Sequence, residues 1–162
     1  MKNQAFTLIE LLVVILIIGV LAAIALPQYK LSLLKSEYSK LKVYVETMYD
    51  SVQRYYLVNG IWPKKLTDLD IELPGQLYGD DKHIRVSSPA GTDCWLWNIG
   101  SSGYVACDFP KFNSRIRYEH NFLGSSANNR NCYAGTSTTD TIAAKFCQIE
   151  TGKTSTDGYY RY

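Results

Sequence analysis

Phe6-Thr7-Leu8-Ile9-Glu10-Leu11-Leu12-Val13-Val14-Ile15-Leu16-Ile17-Ile18-Gly19-Val20-Leu21-Ala22-Ala23-Ile24-Ala25-Leu26 runs for 21 residues with one charge, Glu10. At a rise of about 1.5 Å per residue such a helix crosses about 30 Å of hydrocarbon. Beyond Pro27 the pattern turns periodic. Leu31, Leu34, Tyr38, Leu41, Val45, Met48, Val52 and Tyr55 follow one another at steps of three and four, the mark of an amphipathic helix with one buried stripe. Lys40, Lys42, Glu46, Asp50 and Arg54 lie off it, and the last three stand at i,i+4 steps that can support the helix. Asn59-Gly60 and then Pro63 stop the pattern. Phe6 to Asn59 therefore reads as one rod of about 80 Å. A short coiled coil would show the same stripe, but fewer than four heptads beside a compact domain point to a helix packed under its own sheet.

The other residues are polar enough to bring the mean hydropathy of the 162-residue, 18.3 kDa chain to -0.14. A hydrophobic share of 46% with 20% charged residues excludes a disordered chain. Lys and Arg number 17 against 15 Asp and Glu, too even a balance to steer polyanions from a distance. The outline is one soluble domain on a membrane anchor. A cleaved secretory signal would place a short apolar core before a small-residue cut. Here the leader MKNQA is brief, and the apolar run enters the amphipathic helix without a linker. Lys30, Lys35, Lys40 and Lys42 after the span compete with Lys2 before it, so charge leaves the orientation open. Glu10 either snorkels to the interface from near the start of the run or is kept there by a partner, because a carboxylate within the span costs about 2.5–3.5 kcal/mol.

Ala5-Phe6-Thr7-Leu8-Ile9-Glu10, continuing through Leu11-Leu12-Val13-Val14 to Gly19, Leu21-Ala22-Ala23-Ile24-Ala25 and Pro27, resembles the N-terminus of a type IV pilin or a related pseudopilin. The match is dense from Ala5 to Tyr29. It implies that a prepilin peptidase cuts between Ala5 and Phe6 and that Phe6 then receives an N-methyl group. The family most often has Gly before the cut; Ala5 is the departure, and it is still small. The resemblance also implies that Glu10 meets the amino terminus of a neighbouring subunit's Phe6, a pairing that suits two charges each costly when unpaired in an apolar core. Gly19 and Pro27 bracket a segment where the helix can loosen, or Pro27 alone kinks it. Four segments are expected: a leader over 1–5, a membrane and filament-core segment over 6–26, the amphipathic helix over 27–59, and a globular head over 60–162.

In the head, 60–88 mixes Gly, Pro and Asp with short apolar clusters and reads as a connection with one helical turn. Asp68, Asp70 and Glu72 lack the loop spacing of a calcium hand and read as a solvated turn. CWLWNI and GYVACDF flank Gly100-Ser101-Ser102-Gly103 as a hairpin, RIRYEHNF alternates, and NCYAG adds a strand. Three or four antiparallel strands across the helix stripe give an α+β fold, with Trp95, Trp97, Tyr104, Phe109, Tyr118 and Phe122 expected in its core.

Four cysteines allow three pairings. Cys94 and Cys107 stand on opposite arms of the expected hairpin, nearly equidistant from its turn, which favours Cys94–Cys107 and leaves Cys132–Cys147. In the resembling pilins a disulfide near the C-terminus fastens a variable surface loop, and Cys132 to Cys147 matches it. Zinc is disfavoured, since there is no CxxC pair and His83 and His120 stand far from the cysteines in sequence. Gly152-Lys153-Thr154 lacks the upstream Gly and leading strand of a phosphate-binding loop, and neither HExxH nor GxSxG occurs. No enzyme, metal or cofactor is expected.

The expected role is a structural subunit of a type IV pilus. The precursor would sit in the inner membrane and the mature form in an extracellular filament serving adhesion, twitching motility or DNA uptake. Its partners would be other copies of itself, prepilin peptidase, the inner-membrane assembly platform and, before assembly, membrane lipid. The same pattern also suits a pseudopilin of a type II secretion system or a low-abundance minor pilin. A binding module is the third class. From Gly60 to Tyr162 the head carries 11 Lys and Arg against 11 Asp and Glu, so nucleic-acid binding would rest on a local stripe such as Lys111, Arg115 and Arg117.

Overall fold

The computed structural model describes residues 7–79, 81–86, 91–111, 114–135, 142–155 and 157–162. The first element is the helix α1, Leu8–Asn59, 52 residues without interruption. Thr7 caps it in extended conformation, and Gly60 ends it at φ 69°, a left-handed turn that a Cβ would disfavour. Pro27 lies inside the helix. Its missing N–H costs the bond to the Ala23 carbonyl, yet the helix runs through both Gly19 and Pro27.

The two halves of α1 live in different surroundings. Every described residue up to Lys30 is exposed, whereas Leu34, Tyr38, Leu41, Val45, Met48 and Val52 are buried. Ser51 joins them, while Leu31 and Tyr55 at the stripe's two ends are half-buried. Burial of each large apolar side chain contributes about 1.5–3 kcal/mol, so the second half is held by tertiary packing.

That packing surface is a sheet of seven antiparallel strands in strict chain order. They are β1 (Gly75–Tyr78), β2 (His83–Val86), β3 (Asp93–Ile99), β4 (Ser102–Lys111), β5 (Ser114–Leu123), β6 (Arg130–Tyr133) and β7 (Tyr159–Arg161). Alternation sends Cys94, Leu96, Val105, Cys107, Phe109, Ile116, Tyr118 and Phe122 to the helix side, where all are buried with the α1 stripe. α1 lies chiefly over β4 and β5. Gly103 sits beside the one register shift between these strands, and a Cβ there would stand 2.4 Å from the Phe122 ring.

The sheet is larger than three or four strands. β1 and β2 arise in the region read as a connection, and among the described residues there only a short 3₁₀ turn, Leu66–Asp68, is helical. Four residues are too few to display alternation: all of β1 is exposed, and in β2 Ile84 reaches the core. β7 has three residues and takes its place by pairing with β6. Between the last two strands stands α2, Ile142–Thr151, burying Ala143, Ala144, Phe146 and Cys147. A ten-residue helix is marginal alone and depends on its tertiary attachments.

Candidate functional site

Among the described residues, the longest run of exposed apolar side chains is the first half of α1. Leu8, Ile9, Leu11 to Ile18, Val20, Leu21, Ile24 and Leu26 are all exposed, and this helix is long and apolar enough to cross a membrane. Along one side, Leu12, Ile15, Leu16, Gly19, Val20 and Ala23 form a shallow apolar strip at helical spacing. A Cβ on Gly19 would meet nothing within 4 Å, so the backbone lies open to whatever packs on it. Small residues at such a point let a second helix approach closely.

Glu10 closes the N-terminus of its own helix. The Thr7 amide and hydroxyl donate to Glu10 Oε2 at 2.8 and 2.7 Å, and the Glu10 amide donates to Thr7 Oγ1 at 3.3 Å. This reciprocal cap satisfies donors that the first helical turn leaves orphaned and places a negative charge where the helix dipole favours it. In the single chain the carboxylate is thus occupied locally. Ala5 and Phe6, where cutting and methylation are expected, lie outside the described residues.

Further along, α1 is stapled to the head by charge. Glu46 receives the Tyr118 hydroxyl at 2.5 Å and Arg130 Nε at 3.1 Å on Oε1, and its Oε2 lies 3.0 Å from His120 Nδ1. Tyr49, one turn on, stacks on the His120 ring at 3.6 Å and 4°. Burial, reinforced by Glu46, raises the Tyr118 hydroxyl well above its ordinary range. Burial lowers His120 below its usual pKa against the attraction of Glu46. Lys42 pairs with Glu150 of α2 and lies 4.8 Å from the Tyr162 ring centre. Burial opposes its charge, but hydrogen bonds to Glu150 and Tyr162 outweigh this and raise it. Arg54 makes two 2.8 Å bonds to Asp70, which also takes the Ser51 hydroxyl. These contacts hold Asp70 well below the carboxylate range. Glu46 and Arg54 therefore bind the head, where spacing along the helix suggests pairs with Asp50. Sequence reasoning does not find this hub, although Tyr118 and His120, two apart on an alternating strand, mark a polar residue on the inward face.

All four cysteines are joined, Cys94 to Cys107 across facing positions of β3 and β4, and Cys132 of β6 to Cys147 of α2. Among the described residues no group of three His, Cys, Asp or Glu is placed to hold a metal. Asp68 accepts the Lys64 and Lys65 amides, so it too serves a turn. On the sheet face away from α1, Arg115 Nε meets Asp108 at 2.9 Å and Arg117 lies 4.8 Å from the Trp95 and Tyr133 ring centres. Both arginines are thus engaged within the head. Trp97 is 40% exposed and stacks with Tyr104 on this outer face, not in the core. The expected core position fails because an odd step along β3 reverses the side: Cys94 and Leu96 point to the helix, Trp95 and Trp97 away.

Residues 1–26 match the family described as the prokaryotic N-terminal methylation motif. The chain is 40% identical over 83 residues to the type IV major pilin protein PilE of Neisseria gonorrhoeae, covering 51% of this chain and 48% of that one. It is 37% identical over 83 residues to a fimbrial protein of Neisseria meningitidis serogroup B, with the same shares of 51% and 48%. It is 31% identical over 110 residues to the type IV major pilin protein PilA of Myxococcus xanthus, covering 67% of this chain and 48% of that relative. The chain spans about half the length of these curated relatives. No solved structure matches it.

Proposed function

We infer, from an N-terminal half similar to the type IV major pilins of Neisseria gonorrhoeae and Myxococcus xanthus, that the whole chain is a structural subunit of a type IV pilus. One observation carries this reading: the apolar half of α1 is exposed throughout while the other half of the same helix is buried under the sheet. A lone molecule can keep Leu8 to Leu26 from water only in lipid, and a filament keeps it from water by bundling many copies. The strip centred on Gly19 suits that bundling.

In this reading residues 1–5 are a leader cut by prepilin peptidase at Ala5 and Phe6, and the new Phe6 amine is methylated. The precursor waits in the inner membrane until the assembly platform lifts it into the filament. Glu10 then turns from its own Thr7 toward the Phe6 amine of a neighbour. The swap preserves a compensated carboxylate at every stage, which the membrane and the filament core both require. The head adds a surface for adhesion, motility or uptake, and the subunit works by packing and catalyses nothing.

Mass spectrometry of filaments sheared from cells tests this. The expected result is an abundant chain beginning at N-methylated Phe6. Trace amounts would assign it to a minor pilin or pseudopilin, and an uncut Met1 terminus would overturn the processing at Ala5.

A further inference from the structure

Where the exposed half of α1 ends, the head returns to it. A groove of about 560 Å³ opens between α1 and α2, walled by Leu26, Leu31, Ile142 and Ile149 and rimmed by Lys30 and Lys145. Ile149 is 69% exposed, although α2 buries its other face in the head. The Cys132–Cys147 bond to β6 and the Lys42–Glu150 pair to α1 reinforce the seat of α2 there.

The groove's height along the rod is fixed by the helix. Hydrocarbon about 30 Å thick takes up about 20 residues, so a span beginning near Thr7 ends near Leu26, and the next turn or two lies among the headgroups. Lys30, Leu31, Lys145 and Ile149 fall in that layer. An apolar side chain flanked by lysines is the chemistry of a helix lying at a membrane surface: Ile149 can enter the acyl boundary, and each ammonium can reach a lipid phosphate. Among the described residues the lining holds two lysines and no carboxylate.

We propose that α2 docks the head onto the anionic phospholipid surface of the membrane before assembly, with Ile149 in the acyl boundary and Lys30 and Lys145 on lipid phosphates. The proposal rests on the reading of Leu8 to Leu26 as a membrane span. A second copy suits the groove less well, because the apolar segment of α1 that a copy would offer carries no carboxylate beyond Glu10. Docking gives the waiting subunit a fixed tilt, and lifting it into a filament must break these lipid contacts.

Photocrosslinking the full chain in membranes of cells unable to build filaments tests this. A benzophenone amino acid replaces Ile149, and in a control it replaces Ile99. Ile99 is exposed at the far end of the sheet, where the neighbouring Asn98 bonds the Pro63 carbonyl beyond the C-terminal end of α1. Phospholipid adducts are expected at position 149 and not at 99, and Lys145→Gln should lower their yield about fivefold, the share of one basic residue at an anionic surface. Equal labelling at both positions, or cross-links from 149 to another copy of the chain, would overturn the docking. A parallel carbonate extraction separates the two readings: a chain released from the membrane contradicts the anchor itself, and a retained chain without lipid adducts at 149 contradicts only the docking.

Discussion

Glu46 Oε2 stands 3.0 Å from His120 Nδ1, a polar contact between α1 and β5 near the middle of the sheet. The same carboxylate also holds Tyr118 and Arg130, so its loss strands three partners at once. Glu46→Ala should destabilise the head by about 2 kcal/mol, with Glu46→Gln milder, measured by chemical denaturation of the head. An unchanged midpoint in Glu46→Ala would show that the hub contributes no stability.

The pH response follows from the same pair. His120 titrates below its usual value in the folded state, chiefly because it is buried. The unfolded chain then binds the extra proton first, so this group's contribution is complete above about pH 6.5 and is lost as the pH falls from there toward the folded value. Asp108 and Glu119, both raised by burial, act in the opposite sense in the acid range. The test is accordingly a difference: melting of the parent and of His120→Asn compared between pH 7 and pH 5. The gap between the two curves should narrow toward pH 5, and a constant gap would contradict the assignment.

The Cys132–Cys147 bond closes 15 residues of sequence, worth about 3 kcal/mol by loop entropy, and it carries α2. Cys132→Ala/Cys147→Ala should lose about that much stability and expose the α2 amides to fast hydrogen exchange. Cys94→Ala/Cys107→Ala should leave exchange in β3 and β4 slow, because ladder bonds on both sides of the pair keep the two strands together. Equal exchange at α2 in parent and variant would show that the helix stands without its bond.

Gly103→Ala places a methyl 2.4 Å from the Phe122 ring and 3.1 Å from the Leu123 Cβ. Overpacking of this kind costs about 1–3 kcal/mol, read as a lower unfolding midpoint. Phe122→Leu in the same chain should recover part of the loss, and a neutral Gly103→Ala would mean that the ring moves aside freely.

Glu10 has two separable duties, capping its own helix and meeting a neighbour. Gln can still accept the Thr7 amide, so Glu10→Gln should keep the precursor membrane-inserted while filaments in the sheared fraction fall to a small residue. Glu10→Ala should lose the filaments and also fray the first turn, at about 1 kcal/mol. Normal filament numbers in Glu10→Gln would exclude a charge pairing in assembly.

The α1 stripe was legible because Leu34 to Val52 repeat the helical period over several turns, and the β3–β4 hairpin because long alternating runs flank Gly100. Short elements carry no such record. β1 has no buried face, β7 has three residues, and α2 is held by attachments from distant parts of the chain. The exposed apolar segment from Leu8 to Leu26 announces itself in composition alone. The Glu46 hub does not, because nothing local to Val45-Glu46-Thr47 tells that Tyr118, His120 and Arg130 will converge there. Which arm of an alternating strand faces the helix is likewise decided by register, and this is why Trp97 lies outside.

The seven strands pair in the order in which they occur along the chain. Each new strand therefore finds its neighbour already delivered, and no pairing in the sheet waits for a segment still to come. As the chain emerges from its N-terminus, the sheet can therefore grow one strand at a time from its β1 edge, reaching the strands under α1 at β4 and β5 and closing its longest connection, the one that carries α2, last. The order of the sheet is then also a timetable for folding.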